Sequence, residues 1–166
     1  VATLQYDRAG LITFSDRIGS ALKASRDPKQ IKRIMNALYN ESERETEPNF
    51  ALLNLSLRKL APNRSLLFLY ANFESENALN RALPHLRAIA RRHLLVLVFF
   101  KNVEVQQRAD TAAIDLKGVY NRTIAKRMVF EKERMLSLLR KARIQAILTE
   151  PDALSMNTVE KYLEMK

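Results

Sequence analysis

RSLLFLYANFESENALNRALPHLRAIARRHLLVLVFFKN, residues 64–102, decides the fold. Two apolar runs, Ser65 to Tyr70 and Leu94 to Phe100, flank a segment in which Leu79, Leu83, Leu86, Ile89 and Ala90 recur at the spacing of one helix face. Arg81, Arg87, Arg91 and Arg92 fall to the water side of that helix, Ser75 stands where an N-cap belongs, and Pro84 is expected to kink it. The order is strand, helix, strand. Strands joined this way pair in parallel and are covered on both faces, and a ligand or partner surface forms where their carboxyl ends run into loops. That places the candidate surface at Ala71 to Ser75.

Working outward, the same alternation continues. Asp7 to Phe14 is β-branched and apolar at its centre and reads as a buried strand, with Arg17 to Ala24 returning as an edge strand. Asp27-Pro28 supplies a cap and a first helical residue. The stripe Ile31, Ile34, Met35, Leu38, Tyr39 then predicts a helix with one buried face through Asn40. Residues 41–47, ESERETE, read as a loop, and a helix from Pro48 carries Phe50, Leu53, Leu55, Leu57 and Leu60 inward until Ala61-Pro62-Asn63 stops it. Beyond Phe100 a polar stretch leads into a long helical pattern from Thr111 to Arg143, with Gly118 as a break point. Ile144 to Leu148 forms a last strand, and a closing helix runs through Tyr162. The expectation is one α/β three-layer domain over residues 1–166 with a mainly parallel, Rossmann-like sheet.

With 166 residues, 47% of them hydrophobic, the chain can build one sizeable core. It has no cysteine, which removes disulfides and thiolate metal sites and agrees with a cytoplasmic setting. The longest apolar run falls far short of the roughly 20 residues of a spanning helix. A net charge of +10 raises the question of nucleic acid. The cations are spread over several segments without aromatic residues interleaved for base stacking, so nucleic acid is not the first choice of partner. The densest basic region, Asn121 to Arg143, reads as the solvated face of a surface helix and defines the alternative function, binding to nucleic acid or an anionic surface.

Motifs for chemistry are missing. The three glycines are not clustered as a phosphate cradle requires, and no nucleophile elbow occurs. His85 and His93, eight residues apart across a helix end, suit partly exposed positions better than a zinc pair. The acids Glu41, Glu43, Glu45 and Glu47 alternate in a loop and read as solvated. The reading assigns no catalytic residue, no metal and no cofactor.

Four strings in order, DRAGLITFSDRI (7–18), RSLLFLYANFES (64–75), RRHLLVLVFFKN (91–102) and IQAILTEPDALSMNTVEKYLEMK (144–166), resemble the bacterial "domain of unknown function 58" family in its carboxy-terminal, von Willebrand factor type A-like part. The resemblance implies a non-enzymatic, Rossmann-like module that binds partner proteins, often encoded beside a MoxR-type AAA+ ATPase, and acts in assembly or maturation. It also implies a longer parent that can be anchored in the inner membrane, facing the cytoplasm. Type A domains hold Mg²⁺ through an Asp-x-Ser-x-Ser run, a Thr and an Asp. Here Thr46 stands in the place of the Thr and Asn72 in that of the Asp, while the run itself is absent. A neutral amide in place of a carboxylate compensates a dication poorly, so the resemblance implies a degenerate metal site. The partner surface it suggests is Thr46, Asn72, Phe73, Glu74 and Ser75. It also implies a central strand missing between Gly10–Phe14 and Ser65–Tyr70. Those two strands are then expected to close on each other or to take up a strand from another chain, which would allow self-association.

Overall fold

The computed structural model describes residues 7–42, 46–111 and 115–166. It divides into two compact units, Val1–Ser65 and Leu66–Lys166.

The first unit is built on an antiparallel hairpin of β1 (Ala9–Phe14) and β2 (Ile18–Ser25). Its register runs Ala9↔Ser25, Leu11↔Leu22, Ile12↔Ala21, Phe14↔Ile18, so β2 carries one extra residue twice, near Lys23 and near Gly19. A bulge leaves backbone groups without ladder partners, and each here is served by a side chain. At the first, buried Gln30 donates through Nε2 to the carbonyls of Ala9 and Lys23, both at 3.0 Å. At the second, Ser20 N–H donates to Thr13 Oγ1 at 2.7 Å and to Glu41 Oε1 at 2.9 Å, and Thr13 Oγ1 donates to the same carboxylate at 2.6 Å. Gly10 is required because a Cβ there would lie 2.8 Å from the Leu22 carbonyl oxygen.

Helix α1 (Gln30–Tyr39) begins two residues after Pro28, with Asp27 Oδ1 accepting from Lys29 N–H. Its apolar stripe departs from expectation: Ile31, Met35 and Leu38 are about half or more exposed and Tyr39 is 90% exposed, while the buried residue is Gln30. The bulge carbonyls demand a donor, and that polar demand decides which side of α1 faces the hairpin. Helix α2 (Phe50–Leu60) is capped by Asn49, whose side chain accepts from Leu52 N–H. It buries Phe50, Leu53 and Leu57, and Phe50 meets Phe14 edge-on at 5.5 Å. Leu55 points outward instead.

The second unit is α/β, with a three-stranded parallel sheet flanked by helices. Strands β3 (Leu66–Tyr70), β4 (Leu94–Phe100) and β5 (Gln145–Thr149) lie in the order β3-β4-β5. The register runs Leu66↔Leu94 through Tyr70↔Val98 on one side and Val96↔Gln145 through Phe100↔Thr149 on the other. The central strand buries everything from Leu95 to Phe99, as a strand covered on both faces must. Helix α3 (Glu76–Arg92) seals one part of this core with Leu79, Leu83, Leu86 and Ile89, and Pro84 sits on its exposed side within an unbroken helix. His93, at the amino end of β4, is buried at 3% exposure and not partly exposed as its sequence position suggested. Burial holds its imidazole below the ordinary histidine range, with the charge of Arg92 adding to the effect.

The polar stretch after β4 is helical: α4 (Val103–Asp110), capped by Asn102, precedes α5 (Leu116–Lys141), capped by Asp115. Gly118 lies in the first turn of α5 and breaks nothing, since its N–H donates to Asp115 Oδ1. Helix α5 ends in a Schellman turn. Ile144 N–H donates to the Leu139 carbonyl and Arg143 N–H to that of Arg140, with Arg143 at φ 58° and both Leu139 and Ile144 buried. Helix α6 (Leu154–Met165) follows β5.

The five strands therefore form two sheets, with β1 paired to β2 and β3 to β4. The expected closure of β1 onto β3 is not made: among the described residues no strand pairs with the outer edge of β3.

Candidate functional site

The carboxyl ends of β3, β4 and β5 form one rim of the parallel sheet. Ala71 N–H still donates to the Val98 carbonyl, which extends the β3–β4 pairing one residue past the strand. Asn72 and Glu74 are then exposed, whereas Phe73 between them is 4% exposed and lies 5.8 Å from Phe99. The loop is thus pinned by its middle residue. Ser75 caps α3, its hydroxyl accepting from Ala78 N–H.

Helix α5 reaches over this loop and fastens it. Lys132 Nζ donates to Asn72 Oδ1 at 2.6 Å and to the Phe73 carbonyl at 2.8 Å, and it lies 5.9 Å from the centre of the Phe99 ring. Partial burial holds the amine below the usual lysine range, with Glu131 acting in the opposite direction. Glu131 Oε1 accepts from Glu76 N–H at 3.4 Å, and Arg134 pairs with the Glu76 carboxylate at 3.0 Å. The Arg134 pair is exposed and contributes little by itself.

On the other side of Lys132 a groove of about 730 Å³ opens between the ends of β4 and β5 and the helices α4 and α5. Its floor is aliphatic, from Val105, Val129, Leu136 and Leu148, and its edge carries Lys101, Lys132 and Arg140. Lys101 N–H donates to the Thr149 carbonyl, tying the ends of β4 and β5 together. Thr149 is buried, and its hydroxyl accepts from Asn157 Nδ2 at 2.7 Å.

Of the residues singled out from sequence, Asn72, Phe73, Glu74 and Ser75 are consecutive on this rim. Thr46 belongs to the first unit, where its hydroxyl reaches Asp16 Oδ1 of the β1–β2 turn at 3.5 Å. Glu43 and Glu45 lie outside the described residues, and Glu41 serves the β2 bulge. Lys132 was missed by sequence reasoning, which grouped it with the solvated cations of Asn121 to Arg143. The available signal was its place at four-residue spacing between Met128 and Leu136, on an apolar row.

The residues present do not fit the dication that type A domains hold. The amide at the position of the carboxylate already accepts from an amine on α5, and a dication at Asn72 would face that amine across one shared oxygen. Among the described residues no three His, Cys, Asp or Glu side chains come together as a ligand set, and no described helix is long and apolar enough to cross a membrane. Comparison with family models, curated proteins and solved structures finds no match to this chain. Fold and rim together define an α/β protein whose parallel sheet carries, at its carboxyl end, a clamped loop beside a basic-edged apolar groove.

Proposed function

We propose that the chain is a non-enzymatic interaction module of the von Willebrand factor A-like, domain of unknown function 58 type, belonging to a larger bacterial protein. In this reading the loop Asn72–Ser75 is the partner-facing edge of the second unit, with Thr46 the corresponding residue of the first. The partner is an AAA+ ATPase of the MoxR type, met during assembly or maturation on the cytoplasmic side. One observation carries the reading. The apex of the rim is held by Lys132 on Asn72 Oδ1 and the Phe73 carbonyl, which presents Glu74 on a fixed backbone. A pre-ordered loop suits recognition because little entropy is lost when a partner docks.

The edge of β3 away from β4, which no strand pairs with among the described residues, supports a second element of this reading. An apolar edge strand is a template for an added strand, supplied by the parent or by a second copy. The exposed cations Lys126, Arg127 and Lys141 of α5 support the competing function, binding to nucleic acid or an anionic surface.

Capture of a purified MoxR-type ATPase by the full-length parent tests the proposal. Glu74→Lys, at an exposed site, and Asn72→Lys, which also breaks the Lys132 contact, are each expected to lower capture at least about tenfold, equivalent to about 1.4 kcal/mol. Unchanged capture by both variants removes the loop from the interface. Retention of DNA in place of the ATPase, falling steeply with salt, favours the competing function.

A further inference from the structure

We infer that the groove between α4, α5 and the ends of β4 and β5 docks an acidic, amphipathic peptide segment of a partner protein. The inference rests on the interaction-module reading and names the chemistry that the groove would accept. Three features of the groove lead there.

Its floor, Val105, Val129, Leu136 and Leu148, offers aliphatic surface with no aromatic ring among the described lining residues, so bases have nothing there to stack on. Among the described lining residues three cations edge it against the single carboxylate of Glu133, which selects a ligand bearing carboxylates.

The third feature is direction. Met128, Lys132, Leu136 and Arg140 form one four-residue row along α5, and Ile124 stands one turn before Met128. Ile124 and Met128 are both exposed, so apolar surface extends one turn beyond the groove. A partner helix with anchors at three- and four-residue spacing can follow that surface, its carboxylates reaching Lys101 and Arg140 at the margins. An ammonium has three N–H donors, and Lys132 has two engaged by the loop at Asn72 and Phe73. The third is left for a ligand carboxylate, which would couple occupation of the groove to the loop.

The test is fluorescence anisotropy of the intact protein with a labelled peptide of about fifteen residues, Leu at helical three- and four-residue spacing and Glu elsewhere. Saturable binding is expected, weakened at least about tenfold by Lys101→Glu with Arg140→Glu, and likewise by Met128→Glu. Arg127→Glu with Lys141→Glu makes the same charge change outside the groove and is expected to leave binding within about twofold. A peptide with Lys in place of Glu is expected not to bind. No saturation by the Leu/Glu probe, equal losses from both charge-reversed pairs, or displacement of the probe by a DNA oligonucleotide each overturns the inference. Probe binding with no ATPase capture by the parent retains the groove and removes the ATPase as partner. Glu74-dependent capture without probe binding retains the rim and removes the groove.

Discussion

Both units leave apolar side chains at the surface, but they differ in how much apolar interior they build. In Leu66–Lys166, β4 and the inner faces of α3 and α5 bury Leu, Ile, Val, Phe and Met side chains almost completely. In Val1–Ser65, the buried apolar residues among those described are Phe50, Leu53 and Leu57, while Ile31, Met35, Leu38, Tyr39 and Leu55 stand out in water. Each fully buried aliphatic or aromatic side chain stabilises by roughly 1.5–3 kcal/mol, so the second unit is held by its core. The first unit relies far more on polar pegs, Gln30 and Glu41, at the two bulges of its hairpin. A core of the first kind tolerates surface change and punishes interior change. A pegged hairpin answers to single hydrogen bonds.

The largest effect expected is Leu97→Ala in the centre of β4, a loss of about 2–5 kcal/mol in urea unfolding of the intact chain. Met35→Ala, from the exposed stripe of α1, is expected to stay within about 0.5 kcal/mol. Similar losses from the two would mean that α1 is covered after all, and the contrast would fail.

Next come the pegs. Gln30→Ala leaves the Ala9 and Lys23 carbonyls without their donor and is expected to cost about 1–3 kcal/mol, read as faster amide exchange in β1 and β2 and not in β4. Lys132→Met removes the donor to Asn72 and Phe73, with a loss of the same order and exchange accelerated at residues 72–76. Uniform acceleration across the chain in either variant would show that the peg acts globally.

A gain of about 1 kcal/mol is expected for Arg143→Gly, since Arg143 holds a left-handed backbone at the end of α5 that glycine adopts without strain. A loss would mean that the side chain of Arg143 contributes more than its backbone costs.

The acid response is subtler. The folded pKa of His93 is depressed, so the unfolded chain takes up its proton first, from about pH 6.5 downward. Stability from this group is full above that pH and declines as pH falls below it. Urea midpoints taken on both sides of pH 6.5 are expected to drop on the acid side, and His93→Gln to reduce the drop. An equal drop in the variant would assign it to other groups.

The sequence made β3, α3 and β4 legible because their apolar residues are dense, correctly spaced and bounded by Asn63, Ser75 and Asn102. Periodicity reports which face of a helix could be buried and says nothing of what lies opposite. That is why the stripe of α1 was assigned to the interior while Gln30 went there. Helix α4, VEVQQRAD, has too few apolar positions to announce itself, although Asn102 was available as its cap. The loop Asn72–Ser75 could be found from the position of β3 alone. Its clamp could not, because Lys132 lies some sixty residues away in sequence and only the packing of α5 brings the two together.

Hydrogen exchange of the intact protein, alone and with saturating MoxR-type ATPase, tests the central proposal most directly. The account predicts new protection at residues 71–76 and 101–105, with the β1–β2 turn near Thr46 as the further contact. A stable complex that leaves residues 71–76 unprotected, or no complex under conditions where DNA binds the chain, would contradict it.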